Sequence, residues 1–328
     1  MKNRGISYAA AALAAFVWLA PTTGRAQTAA ETRAALALLS QSETVAYART
    51  RYLRTSEPGD SNKIVDSTLS LRSPFLELIA GIRNLGPKAE KDLEISYNAV
   101  LVGAKDFGGP AGLRPGPDGL GMVNSAKCYI AVVEGGAQPN VDRDFVSASY
   151  ESVDGRQVWT WSVSQFEGST KSTRFYAAQI GNSYLVVTNN LQDFQETAEI
   201  LTSAEGSKAA SISFPGWESI STHPYWMYRL FRRGEARGAD MAGIKDLPAD
   251  VIALTFFADI DERQGFLQVI SSDTTMRSIP KVIRDLDPNR FQPQTAGVWQ
   301  ATIPLSKDEA GVDTMFQVFY RFGFGVAL

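Results

Sequence analysis

Residues 145–188 read FVSASYESVDGRQVWTWSVSQFEGSTKSTRFYAAQIGNSYLVVT, a stretch that contains two consecutive hairpin patterns. In each pattern, two strand-like runs flank a dipeptide that favours a tight turn, Asp154-Gly155 in the first and Gly181-Asn182 in the second. Glycine tolerates the positive φ angles that two-residue hairpin turns require. The predicted strands cover 145–153, 157–163, 174–180 and 184–188. Because successive hairpins pair in the antiparallel sense, the sequence predicts an α+β fold with antiparallel, hairpin-rich sheets and flanking helices.

Further elements are predicted on both sides of these hairpins from apolar periodicity and from turn residues. The predicted helices cover 31–39, 192–202, 223–233 and 279–286. The other predicted strands cover 44–49, 93–102, 126–133, 251–260, 266–271, 298–305 and 314–322.

The first 26 residues have the pattern of a signal peptide. Lys2 and Arg4 precede an apolar run at 9–20, and small residues stand three positions and one position before Gln27. The apolar run is shorter than the roughly twenty residues that a membrane-spanning helix needs. We therefore expect cleavage before Gln27, no stable membrane span afterwards, and a periplasmic or secreted protein.

Composition and charge exclude several classes of function. Removing residues 1–26 takes away three basic residues and no acidic one, so the net charge changes from −3 to −6, which disfavours nucleic-acid binding. Cys128 is the only cysteine and His223 the only histidine, so one chain cannot form an internal disulfide or the usual zinc sites. Any Ser-His-Asp mechanism would have to use His223. The sequence predicts no cofactor and no metal site.

Two short similarities suggest that the mature chain contains two related halves, at 27–205 and 206–328. Residues 43–47 match 250–254 in character, and residues 82–87 match 283–288 in the same order. On this interpretation the second half is a structural repeat of 43–135.

The residues that lead into the segment at 250–254 resemble a known sequence motif. Leu247-Pro248-Ala249-Asp250, leading into the predicted strand at 251–260, resembles the Leu-Pro-x-Asp strand opening of a class of exported bacterial proteins of unknown function. The resemblance implies a repeated α+β unit and no particular activity.

Two groups of residues are candidates for catalysis. Ser278 and Lys281 have the Ser-x-x-Lys spacing of envelope acyl-enzymes, although Ser278 also suits a helix cap. Asp259, Asp261 and Glu262 lie at a predicted hairpin tip, where paired carboxylates could transfer protons or could be ordinary turn residues.

The segment from His223 to Arg233 has the most unusual local composition in the chain. Aromatic rings beside guanidinium groups can stack on sugars or hold carboxylates. The candidate ligand-binding residues are Tyr225, Trp226, Arg229, Arg232 and Arg233. The alternative interpretation is an amphipathic helix with a tryptophan anchor and a solvated basic face.

Three classes of function remain open on this evidence. The favoured class is a non-enzymatic exported or envelope-associated protein that presents a sheet surface to a protein or an envelope ligand. A hydrolase acting through Ser278 and Lys281 or a carboxylate pair is the second. The third is an outer-membrane barrel, because residues 315–324 are aromatic-rich and nearly terminal.

Overall fold

The computed structural model describes residues 27–49, 98–105, 126–132, 149–164, 172–203, 214–231, 250–259, 262, 264–272 and 290–304. Its helices are α1 (Ala29–Gln41), α2 (Leu191–Thr202) and α3 (Trp217–Ile220). Its strands are β1 (Thr44–Arg49), β2 (Ala99–Lys105), β3 (Ala126–Val132), β4 (Ser149–Val153), β5 (Arg156–Ser164), β6 (Ser172–Ile180), β7 (Tyr184–Thr188), β8 (Tyr225–Leu230), β9 (Val251–Asp259), β10 (Gln264–Ser271), β11 (Phe291–Thr295) and β12 (Val298–Pro304).

The strands form one 12-stranded sheet in the order β11-β12-β10-β9-β8-β1-β2-β3-β7-β6-β5-β4. Every pair of neighbours is antiparallel. Antiparallel strands with separate helices are an α+β arrangement, so the predicted fold class is confirmed.

Read outward from the β1–β8 pair, both directions of the sheet begin with a meander of three consecutive strands, β1-β2-β3 and β8-β9-β10. On the β1 side, β3 pairs with β7, the last strand of the four-stranded meander β4–β7. On the β8 side, β10 pairs with β12, the second strand of the hairpin β11–β12. Among the described residues, seven strands therefore lie on the β1 side of the junction and five on the β8 side.

One face of the sheet carries the described helices. α1 and α2 pack over β2, β3, β6 and β7. A Cβ atom on Gly103 of β2 would lie 2.5 Å from the Ser42 hydroxyl and 3.1 Å from Leu38 of α1, so this glycine lets the helix end approach the sheet. In the other half, the segment 214–223 lies on the same face, because its rings contact β8, β9 and β10.

The centre of the sheet is buried on both faces. All six residues of β1 are buried, although their side chains alternate between the two faces. This explains why β1, β7 and β8 read as nearly continuous apolar runs rather than as alternating patterns.

The predicted helices in the first half are confirmed, and side-chain caps define where they begin. Thr28 accepts a hydrogen bond from the backbone of Glu31, whose carboxylate accepts one from the backbone of Thr28, which completes a capping box for α1. The side chain of Asn190 accepts hydrogen bonds from the backbone N–H groups of Gln192 and Asp193 at the start of α2.

The predicted hairpins are also confirmed. Asp154 and Gly155 have φ angles of 52° and 73° between β4 and β5, the positive values that the dipeptide pattern requires. β6 pairs with β7, and β9 pairs with β10. The predicted strands at 44–49, 126–133 and 298–305 correspond to β1, β3 and β12 within a residue.

The predicted helix at 223–233 is wrong, because residues 225–230 form strand β8. Tyr225, Trp226, Met227 and Tyr228 are all buried, and they alternate between two covered faces of the sheet. A short apolar run that is buried on both sides has no period of two, so its pattern also fits one face of a helix. The aromatic residues in this run favour the strand.

Strand β11 was not predicted, because it contains Pro293. Proline cannot donate a backbone hydrogen bond and is tolerated only at edges, and β11 is the edge strand of its half. β2 begins at Ala99, later than predicted, and extends to Lys105. The predicted helix at 279–286 and the predicted strand at 314–322 lie outside the described residues.

The residue matches that suggested two halves are only partly within the described residues. Residues 44–47 lie in β1 and residues 251–254 in β9, and both strands pair with β8. Residues 82–87 and 283–288 lie outside the part of the chain that the structure describes.

Candidate functional site

The predicted ligand-binding residues on β8 are in the core. The exposed fraction is 1% for Tyr225, 0% for Trp226 and 2% for Arg229. The Trp226 ring stacks on Tyr47 at 5.5 Å between centroids and meets Trp217 edge-on at 5.8 Å. These three side chains therefore do not form a solvent-facing surface. Arg232 and Arg233 lie outside the described residues.

The Arg229 guanidinium is occupied by groups of the same chain. Its Nη1 lies 3.5 Å from the Glu43 carboxylate and donates a hydrogen bond of 3.1 Å to the Thr44 hydroxyl. The guanidinium carbon also lies 5.5 Å from the ring centroid of Phe231. The sequence suggested that Arg229 could hold a carboxylate of a ligand, but its carboxylate partner is Glu43 of the same chain, and this contact connects β8 to the start of β1.

A second buried polar cluster lies where α1 meets the sheet. The fully buried Glu31 carboxylate accepts hydrogen bonds from the Tyr47 hydroxyl at 3.0 Å and from the Asn98 amide at 2.7 Å. Arg49 Nε lies 3.8 Å from the same oxygen and donates to the Tyr47 hydroxyl at 3.2 Å. Burial raises the pKa of Tyr47, and the Glu31 charge adds to this effect. These contacts hold α1 against β1 and against the residue that precedes β2.

His223 lies in a half-buried position at the end of the segment 214–223. Its Nδ1 lies 2.8 Å from the backbone carbonyl of Ser219, so this nitrogen carries the proton that the carbonyl accepts. Its ring packs on Phe257 at 4.4 Å and on Phe266 at 6.0 Å between centroids. Burial lowers the pKa of His223, although the Ser219 carbonyl and the charges of Asp259 and Glu262 act in the opposite direction.

No serine–histidine dyad forms among the described residues. The Ser219 hydroxyl accepts a hydrogen bond of 3.1 Å from Gln268, and it is the Ser219 carbonyl that meets His223. Gln268 also donates to Gln300 at 2.9 Å and accepts from Thr255 at 3.1 Å. This row of polar side chains anchors α3 on β9, β10 and β12.

The carboxylates predicted at the β9–β10 hairpin have a turn geometry. Asp259 Oδ1 accepts a hydrogen bond of 3.1 Å from the backbone N–H of Glu262. Asp261, Ser278 and Lys281 lie outside the described residues. Within the described ranges, no group of three or more His, Cys, Asp or Glu side chains could hold a metal ion.

An exposed aromatic residue lies at the β4 end of the sheet. Tyr150 is 48% exposed, the one large exposed hydrophobic side chain in the described ranges, and it lies on the edge strand β4. It packs on Trp159 of β5 at 5.8 Å, and further along the same face Trp161 stacks on Phe175 of β6 at 5.5 Å. We call Tyr150, Trp159, Trp161 and Phe175 the aromatic edge. Trp159 and Trp161 are buried and Phe175 is half-buried, so Tyr150 is its exposed member.

The other face of these three strands carries charged and polar side chains around Val158, which is fully buried. Arg174 forms an ion pair of 2.8 Å with Glu151, and its guanidinium lies 5.4 Å from the centroid of the Tyr176 ring. The end of the sheet thus combines an aromatic face with an accessible ion pair. Sequence analysis predicted these strands but missed Tyr150, because its exposure depends on β4 being the outermost strand of the sheet.

The comparisons with known proteins identify no family for this chain. No family model matches the chain, and no curated protein matches it. Among solved structures, the chain is similar to crystal form III of TP0453, at 8% identity and a TM-score of 0.42, covering 86% of this chain and 97% of that chain. Crystal form I of TP0453 gives 9% identity and a TM-score of 0.41, covering 87% and 96%. In the described residues, no helix has the length and hydrophobicity needed to cross a membrane.

Proposed function

We propose that this chain is an exported, non-enzymatic binding protein of the bacterial envelope or the medium. Its contact surface is the aromatic edge, and its partner is a protein or an envelope ligand with an apolar or aromatic group. The observation that carries the proposal is the exposure of Tyr150 on the outermost strand, directly against Trp159.

The aromatic edge suits recognition because it is held rigidly. Tyr150 lies directly opposite Trp159 in the β4–β5 ladder, and the hairpin tip is tied to α2 by a hydrogen bond of 2.8 Å from Gln195 to Asp154. A tyrosine that is fixed in this way loses little conformational entropy on binding, so more of the contact energy contributes to affinity.

The buried polar groups support a scaffold rather than a catalyst. Arg229 pairs with Glu43, Glu31 is enclosed by Tyr47 and Asn98, and the Ser219 hydroxyl accepts from Gln268. Nucleophilic catalysis requires a nucleophile beside its base, and none of these contacts pairs a nucleophile with a base.

Site-specific photo-cross-linking tests the proposed surface. With benzoylphenylalanine at position 150, irradiation of envelope and medium fractions should give a discrete adduct. The matched control carries the same probe at Gln294, an exposed position on the opposite edge strand β11, and should give none. Excess wild-type protein should compete the adduct away, whereas a Tyr150→Ser protein should not. Equal labelling at both positions, or none at 150, would contradict the proposal.

The hydrolase alternative has its own test. We expect Ser278→Ala and Lys281→Ala proteins to keep the circular dichroism spectrum of the wild type and any hydrolytic rate that the purified protein shows on envelope esters and amides. A rate that disappears in either variant while the fold is unchanged would establish the alternative.

A further inference from the structure

We propose that strand β4 binds an extended segment of a partner protein, which pairs with the outer side of β4 and adds a strand to the sheet. This inference rests on the proposed function, because it specifies the kind of partner that the aromatic edge binds. Strand addition combines backbone hydrogen bonds to an edge strand with side-chain contacts at alternate positions of the added segment. The outer side of β4 supplies the first at Ser152 and the second at Tyr150.

The turn that joins β4 to β5 fixes the direction of the backbone groups in β4. Asp154 and Gly155 form a two-residue turn with positive φ, so Val153 and Arg156 on either side of it form a hydrogen-bonded pair. Hydrogen-bonded and non-hydrogen-bonded pairs alternate along an antiparallel ladder. The backbone N–H and C=O of Ser152 therefore point away from β5, and among the described strands β4 pairs with β5 alone. Ser152 is exposed, so a segment can approach these two groups.

The two edges of the sheet differ in the features that prevent strand addition. Strand β11, at the opposite edge, contains Pro293 and an irregular register between Pro293 and Thr295. Proline and bulges are features with which proteins protect an edge. β4 has neither, since its five residues pair with β5 in continuous register, and its one charged side chain, Glu151, forms an ion pair of 2.8 Å with Arg174. Of these two edges, β4 is the one that accepts another strand.

Charge and size favour a segment of another protein over a second copy of this chain. The symmetric antiparallel pairing that uses all five residues of β4 would place Glu151 of one copy directly opposite Glu151 of the other, and like charges at such a position are destabilising. Two copies that met along this edge, roughly 17 Å long, would also bury less surface than a stable interface needs. A separate extended segment avoids both limits, because it can place an uncharged or basic residue opposite Glu151 and an aromatic residue opposite Tyr150.

A synthetic heptapeptide, Thr-Thr-Val-Lys-Trp-Thr-Thr with fluorescein at its amino end, is the probe. In antiparallel alignment its Trp lies opposite Tyr150, its Lys opposite Glu151 and its Val opposite Ser152. Fluorescence anisotropy measures its binding to the full chain, expressed with its leader. N-methylation of the Val amide removes the N–H that the Ser152 carbonyl accepts, and we expect it to weaken binding about tenfold, as for the loss of one hydrogen bond. N-methylation of the Lys amide, which points away from β4, is the matched control and should leave binding unchanged.

On the protein side, Ser152→Pro removes the outward N–H and should weaken binding of the unmodified peptide, whereas Ser152→Ala keeps this group and should bind like the wild type. Equal binding of the two N-methylated peptides, or no binding of the unmodified peptide at millimolar concentration, would overturn strand addition. A photo-adduct at position 150 would in that case still support the aromatic edge as a contact surface. Protein that sediments as a dimer, and that the peptide converts to a monomer, would place a second copy on this edge and would also overturn the inference.

Discussion

At the scale of single residues, two arginine–glutamate pairs differ in how far their side chains are exposed to water. Arg229 and Glu43 have side chains that are 2% and 5% exposed, whereas those of Arg174 and Glu151 are 53% and 35% exposed. Removing one member of a buried pair leaves the other charge without compensation, whereas an exposed charge is stabilised by water. The pairs therefore differ in how much they contribute to stability.

We predict that Arg229→Ala lowers the free energy of unfolding by about 3–5 kcal/mol, because the Glu43 carboxylate stays buried. Arg174→Ala, the matched control, should lower it by less than about 1 kcal/mol. Urea titration followed by tryptophan fluorescence measures both values. Equal effects of the two substitutions would show that Arg229 is not in the core.

His223 supplies a second residue-scale prediction, because a single histidine gives one set of imidazole signals in NMR. Burial lowers its pKa, so the imidazole should titrate below its usual value of about 6.5. The unfolded chain then binds a proton at a higher pH than the folded one. Its contribution to stability is present above about pH 6.5 and is lost as the pH falls through the folded pKa.

The measurement is a pH titration of the His223 imidazole, with His223→Asn as the control for the stability curve. In that variant the loss of stability just below pH 6.5 should be smaller than in the wild type. An imidazole pKa at or above 6.5 would contradict the packing of this ring on Phe257 and Phe266.

At the scale of elements, the glycines of two turns distinguish the effect of a positive φ angle alone from that of a positive φ angle combined with a steric clash. Gly181 and Gly297 both have positive φ, 58° and 76°. A Cβ atom on Gly181 would meet nothing within 4 Å, whereas one on Gly297 would lie 2.4 Å from the Ser271 carbonyl oxygen. Only the second position also excludes a side chain sterically.

We expect Gly181→Ala to lower stability by about 1–2 kcal/mol, because alanine disfavours the left-handed region. Gly297→Ala should cost about 1–3 kcal/mol more, because the β11–β12 turn must move away from Ser271. Thermal unfolding of the two variants provides the comparison. If Gly297→Ala were the milder of the two, the turn would not lie against β10 as described.

Elements with a local signal were predictable from the sequence. The hairpins at Asp154-Gly155 and Gly181-Asn182 were correct, because Gly155 and Gly181 supply the positive φ that their turns need. Helices α1 and α2 were correct because of their residue pattern, and the structure adds the caps at Thr28 and Asn190. Strand β8 was not, because burial on both faces is decided by its neighbours β1 and β9, which are distant in sequence. The same reason explains the candidate site: a helix at 223–233 would have placed Tyr225 and Arg229 on its polar side and Trp226 on its apolar side, whereas all three side chains are buried in β8.

At the scale of the whole molecule, the β1–β8 pair joins strands β1–β7 and strands β8–β12 into one sheet. It aligns Tyr47 with Trp226 and Thr44 with Arg229, and backbone hydrogen bonds extend the junction from Leu230 to Glu43 and from Arg49 to Pro224. The strands on the two sides share buried charges and stacked rings at this seam, so we expect them to unfold together. The aromatic edge, with Tyr150 exposed, lies several strands away from the seam.

Native-state hydrogen exchange tests this account most directly. If β1 and β8 form the centre of the sheet, amides in peptides covering 44–49 and 225–230 should exchange most slowly, at the rate of global unfolding, while those of edge strands 149–153 and 291–295 exchange much faster. Rapid exchange in 225–230, at the rate of the edge strands, would mean that β8 is a surface segment, and it would contradict both the fold and the location proposed for the binding surface.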